Sequence, residues 1–158
     1  MNQKLTRSLF LLIVLFSINS QSNAQVEVKL NPPLALFGVF QLGIEFPFKN
    51  EFGFETEIVF LSIEENFGAG LITHGKYYFN PNFGSDKIYI GFFAGGFAGS
   101  GNKLVGFGIE AGYKLIGKRN IVLEIGGGIG RGATEEGSSG FPYGRLLIGY
   151  RFPKKEKR

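Results

Sequence analysis

The chain of 158 residues has no cysteine and no tryptophan, one histidine and one methionine. Without cysteine there is no disulfide framework, so an exported form must be held by its core, a metal or a membrane. A lone histidine and no thiol leave too few soft ligands for a transition-metal centre, and no cofactor is expected. Long apolar runs are missing after residue 24, where no stretch approaches the roughly 20 residues of a spanning helix. Charge of one sign is missing too. The formal charge of the whole chain is +4, but Lys4 and Arg7 lie in the first 24 residues. Gln25–Arg158 then carries 15 basic against 13 acidic residues, a formal charge of +2. That balance excludes a nucleic-acid footprint.

The first segment has the three parts of a secretory signal peptide. Lys4 and Arg7 form a basic start without an acid, and Ser8 to Ile18 is an apolar run of 11 residues. Ser22 and Ala24 then stand at the small-residue spacing a signal peptidase reads. The run is too short for a membrane anchor, which needs about 20 residues. Cleavage is expected after Ala24, and no cysteine follows to carry a lipid. The expected organisation is residues 1–24 as signal peptide, 25–152 as one β domain, and 153–158 as a basic periplasmic tail.

What the remainder has in quantity is glycine and phenylalanine. All 25 glycines and 16 of the 18 phenylalanines lie after residue 24, a composition that favours strands over helices. Alternation with period two recurs from residue 26 to residue 152. Phe40, Leu42, Ile44, Phe46 and Phe48 oppose Gln41, Gly43 and Glu45. Phe52, Phe54, Thr56, Ile58 and Phe60 oppose Gly53, Glu55 and Glu57. Val105, Phe107, Ile109, Ala111, Tyr113 and Leu115 oppose Gly106, Gly108, Glu110, Gly112 and Lys114. The same pattern runs through 121–131 and 142–152. In 69–79, His74, Lys76 and Tyr78 share one face, whereas 87–97 is apolar or small on both faces. The first run, Val26 to Leu36, contains Pro32 and Pro33, which cannot donate to a ladder, so this strand is short, bulged or broken. Turn-forming segments separate eight runs of about 10 residues.

The expected fold is therefore all-β, an eight-stranded antiparallel up-and-down barrel. In a soluble barrel the apolar face points inward; in a transmembrane β-barrel it faces lipid, and polar residues fill the lumen. An eight-stranded interior is just wide enough for side chains to fill, and the aromatics of the apolar faces would overfill it. The other face offers glycines, together with Glu45, Glu55, Glu57, Lys76, Glu110, Lys114, Glu124, Arg145 and Arg151. Unpaired charges in a lumen cost several kcal/mol each, so these nine are expected to form an internal salt-bridge network that plugs the barrel. An outer-membrane location would put membrane lipid and lipopolysaccharide against the apolar face. An even strand count places both ends on the periplasmic side. The connections after the first, third, fifth and seventh strands then face outward, with Gly132–Phe141 expected as the longest. Tyr77, Tyr78, Phe79, Tyr143, Tyr150 and Phe152 are the candidates for an aromatic girdle.

With its signal segment, its Phe40-Gln-Leu-Gly-Ile-Glu-Phe46 strand and its closing Gly144-Arg-Leu-Leu-Ile-Gly-Tyr-Arg-Phe152, the chain resembles the small outer-membrane β-barrel domain family of the OmpA/OmpX-like kind. The resemblance covers about residues 26–152. It implies export to the bacterial outer membrane, and a closing strand whose alternating aromatics, here Tyr150 and Phe152, are read by the barrel-assembly machinery. The tail Pro153–Arg158 departs from that pattern by moving the last aromatic away from the C-terminus.

Two motifs could carry other chemistry. His74 could serve as a general base in a lipid-A or phospholipid-modifying barrel enzyme, but no serine stands near it in its own run; a lumen histidine is the simpler reading. Gly126–Gly132 lacks the Gly-Lys-Ser/Thr ending of a phosphate loop and reads as strand glycines beside a neighbour's aromatic. The function expected is a non-enzymatic outer-membrane barrel with a structural or surface-interaction role. The alternatives are the lipid-modifying enzyme and a soluble periplasmic barrel that binds an apolar ligand.

Overall fold

A computed structural model describes residues 25–48, 50–63, 66–100, 102–134 and 137–153. The signal-peptide reading of 1–24 and the basic residues of the tail after Pro153 lie outside the described residues. The strands are β1 (Glu27–Leu30), β2 (Val39–Phe48), β3 (Phe52–Ile63), β4 (Asn66–Tyr78), β5 (Lys87–Gly99), β6 (Asn102–Ile116), β7 (Ile121–Thr134) and β8 (Gly137–Arg151). Each pairs antiparallel with its sequence neighbours, and β8 returns to β1, closing the barrel.

Closure fixes the tilt. Followed strand by strand from Leu30, the ladder passes Leu42, Ile58, Leu71, Gly96, Val105 and Ala133 to Ser138. Leu30 itself pairs with Ile148. The sheet therefore closes with a stagger of ten residues, 138 against 148. Such a stagger goes with strands tilted by roughly 35–45° to the barrel axis.

The alternation decides which way each strand faces. Odd positions of β1, β2, β3, β5 and β8 and even positions of β4, β6 and β7 point inward. Most inward charges are buried, and most outward apolar residues are exposed, with Val28, Leu42 and Ile44 half-buried. The prolines act where expected: β1 stops at Leu30, and Pro32–Ala35 form a single helical turn, α1, whose first N–H groups are missing anyway. Asn31 caps it, its side chain accepting from Leu34 N at 3.4 Å.

Two expectations are corrected. Gly132–Phe141 is not a long loop, because β7 runs to Thr134 and β8 resumes at Gly137. Its glycines and serines read as a turn, yet their backbones pair with the facing strand, as in Gly132↔Ser139 and Gly130↔Phe141. The longest connections are 31–38 and 79–86. The second lies at the terminal end of the barrel, where β1 begins and β8 ends. It folds across that end: Ser85 N donates to Asn50 O at 2.6 Å, Ser85 Oγ to Phe52 O at 3.1 Å, and Arg151 Nη1 to Phe83 O at 2.5 Å. The Asp86 carboxylate accepts from Asn82 N and Phe83 N and holds the loop's own turn. The second correction concerns the girdle. Tyr78 and Tyr143 point into the lumen, because they share the parity of Lys76 and Arg145.

Candidate functional site

The inward charges cluster in the half of the barrel where β1 begins and β8 ends, with Tyr78, Tyr89 and Val122 among them. Among the described residues, six buried glutamates (Glu27, Glu45, Glu55, Glu57, Glu110, Glu124) face five buried cations (Lys29, Lys76, Lys114, Arg145, Arg151) and His74. At the centre, Lys29 Nζ lies 2.5 Å from Glu45, 3.0 Å from Glu55 and 2.6 Å from Glu124. Lys76 Nζ donates to Glu55 and, at 2.6 Å, to Glu124. Toward the termini, Lys114 Nζ donates to Glu45 at 2.7 Å and to Glu27 at 3.1 Å, and Arg151 pairs with Glu27. Toward the opposite end, Arg145 reaches Glu55 at 2.6 Å, Glu57 at 3.1 Å and Glu124 at 3.1 Å. There His74 lies between Glu110, 3.0 Å from its Nδ1, and Glu57, 3.3 Å from its Nε2.

All nine charged residues singled out from the sequence face the lumen, and eight of them join this continuous cluster directly. Arg151 sits apart at the end, linked through Glu27 to Lys114. Glu27 and Lys29 were missed, although Lys29 is the residue with the most central position. Their signal was present, since Val26, Val28 and Leu30 alternate with them; the neighbouring prolines hid it. Neutral groups extend the network. Tyr78 Oη donates to Glu45 at 2.8 Å, Gln41 Nε2 donates to Glu57, and Asn31 Nδ2 donates to Gln41 at 2.7 Å.

Glu45, Glu55 and Glu124 also form the best candidate for a metal centre, since their oxygens converge within 4.8 Å. Hard oxygen donors would suit a divalent cation. The ammonium groups of Lys29 and Lys76 stand among those oxygens, so the protein supplies its own cations there. His74 touches Glu57, Glu110, Arg145, Phe93 and Tyr143, none of which is a serine-type nucleophile.

Beyond His74 the lumen changes character. Phe93 stacks at 4.6 Å from Tyr143 and at 6.2 Å from Phe141, forming an aromatic floor. Above it lies an apolar space of about 110 Å³ lined by Val59, Ile72, Phe93, Phe97, Leu104 and Phe141, with glycines between. The glycines make room for the rings: a Cβ at Gly108 would meet Phe93 Cζ at 2.5 Å, and one at Gly130 would meet Phe141 Cζ at 2.6 Å. This places the Gly126–Gly132 run as strand β7 beside aromatics and not as a phosphate loop. On the outer face, Tyr150 and Phe152 are exposed, their rings 5.2 Å apart. Compared with protein-family models, curated proteins and solved structures, the chain matches none of them.

Proposed function

We propose that this chain is an outer-membrane β-barrel protein of the OmpA/OmpX-like kind, exported by its signal peptide, with a closed salt-bridged lumen and a structural or surface-interaction role. The observation that carries the reading is the inside-out partition. Phe107, Ile109 and Ile129 are 65 %, 64 % and 68 % exposed, whereas Lys29, Glu45, Glu55 and Glu57 are 0 % exposed. A soluble barrel with this outer face would present water with an apolar patch far above the few hundred Å² that monomers tolerate. In a bilayer the same face is solvated by lipid.

The tyrosines support it. Tyr77, Tyr113 and Tyr150 face outward, each within three residues of its strand's end on the side of the termini. A ring with a polar tip suits a membrane–water interface. Phe52, Tyr77 and Phe79 continue this belt through edge contacts at 5.2 and 5.0 Å. The enzyme alternative has less support, because the groups that touch His74 include no serine or threonine for it to activate.

Fractionation tests the proposal. Recovery with the outer membrane, and a gel mobility that shifts on heating, are expected. Recovery in the soluble periplasm without a heat-dependent shift overturns it. In planar bilayers the closed lumen should pass no steady current, and a persistent ohmic conductance would refute the closure.

A further inference from the structure

We propose that the apolar half of the lumen is a binding site for the end of a lipid acyl chain, which reaches it sideways through a seam in the barrel wall between β8 and β2, where α1 replaces a strand. The inference rests on the membrane reading.

The seam follows from the register. β1 pairs with β8 through only four residue pairs, from Glu27↔Arg151 to Leu30↔Ile148. β8 extends a further eleven residues, 137–147, with β7 on one side and no strand on the other. The neighbouring strands are not cut short in the same way, since β3 and β4 pair out to Ile63↔Asn66 and β5 and β6 out to Gly99↔Asn102. The missing piece of wall is one strand wide. α1 stands in its place, packed against both β2 and β8.

The chemistry of the seam resists closure by a strand. Pro32 and Pro33 supply no donors on one side. Pro142 lies on the β8 edge among Gly137, Ser138, Ser139, Gly140 and Gly144. Proline and flexible small residues are what blunts a sheet edge against pairing. An added strand is therefore a poor occupant.

The chamber behind the seam suits a hydrocarbon. Its lining is apolar side chains and glycine backbone, and the Phe93–Tyr143–Phe141 floor separates it from the charges. Phe141, on the seam strand itself, forms part of that lining and the rest comes from β3, β4, β5 and β6, so this ring is what a chain entering from the seam would pass first. Its volume of about 110 Å³ is somewhat below the roughly 150 Å³ of a dry cavity that holds benzene. That fits the last few carbons of a chain and not a whole lipid. Outside the seam lies the apolar outer face, where acyl chains of the surrounding bilayer would be the nearest ligands.

The test is a measurement of contacts between lipid and protein. Deuterated protein with protonated Ile, Leu and Val methyls is placed in bilayer discs of protonated phosphatidylcholine. Nuclear Overhauser effects from acyl methylenes are expected at Val59 and Ile72 in the chamber as well as at outward Ile109 and Ile129. None is expected at Val122 and Leu147, which are inside but among the charges. The chamber-filling variant V59F should lose the Ile72 signal while Ile109 keeps its own. Signals at Ile109 with none at Val59 and Ile72 overturn the site and leave the membrane reading standing. Absence at Ile109 and Ile129 as well would count against the membrane reading itself. Chamber signals that appear only after free fatty acid is added to the water phase overturn the lateral path.

Discussion

The two halves of the lumen share one barrel and the same inward parity on each strand, yet they are filled by opposite chemistries. Near the termini the space is filled by ions that bind one another across the barrel. Lys29, on the shortest strand, is bonded to Glu124 on β7 and Glu45 on β2, and Arg151 to Glu27, 124 residues away in sequence. Beyond His74 the space is filled by rings set over glycines, with a void left among them. The first half ties every strand but β5 into one ionic cluster and closes at the 79–86 loop. The second has no such ties and coincides with the interrupted wall. Stability and access are thus assigned to different ends of one sheet, and α1 lies at the border because two prolines end β1 there.

The largest effect should come from breaking the charged half at its centre. Lys29→Met removes a cation that contacts three buried carboxylates. Breaking a buried pair in this way leaves uncompensated charge and costs about 3–5 kcal/mol. Urea unfolding of the protein from vesicles should read that loss. Combining it with Glu124→Gln, which removes one of the stranded carboxylates, should restore about 1–3 kcal/mol as a coupling term. Strict additivity of the two changes would mean that the ions are not a network.

A smaller effect sharpens the boundary between lumen and outer face. A Cβ at Gly112 would lie 2.5 Å from both Ile125 O and the Tyr89 ring. Overpacking of that kind costs about 1–3 kcal/mol. Gly144 faces outward with no atom within 4 Å of such a Cβ, so Gly144→Ala should stay within about 0.5 kcal/mol. The same unfolding series compares them, and equal losses would break the assignment of inside and outside.

Much of this partition was legible in period-two alternation. Parity alone put Glu45, Glu55 and Glu57 on one face and Phe54, Thr56 and Ile58 on the other, because a strand has only two sides. What parity could not supply was the relation between strands. β5 read as apolar on both faces because Tyr89, Phe93 and Phe97 point inward; that is tolerable only because Gly112, Gly108, Gly68 and Gly70 lie opposite their rings, and the register needed to see it is not local. The same limit hid the extension of β7 and β8 through a glycine- and serine-rich stretch. The seam was half visible: Pro32 and Pro33 ended a strand, but that their gap faces Pro142 depends on the ten-residue stagger.

The smallest effect tests the apolar half directly. Ile→Val in a close-packed core costs about 0.5–1.5 kcal/mol, the spread reflecting how tightly the lost methyl was held. Ile72 is only partly buried and borders the 110 Å³ space, so some of its surface already lacks partner atoms. Ile72→Val should therefore cost about 0.5 kcal/mol, at the bottom of that range. Measured in discs of long-chain lipid and again in a short-chain detergent, the cost should be greater in the former if a chain end fills the space and touches that methyl. A cost near 1.5 kcal/mol in both would mean that the upper lumen is packed as tightly as a protein core, and the contrast between the two halves would reduce to one of charge alone.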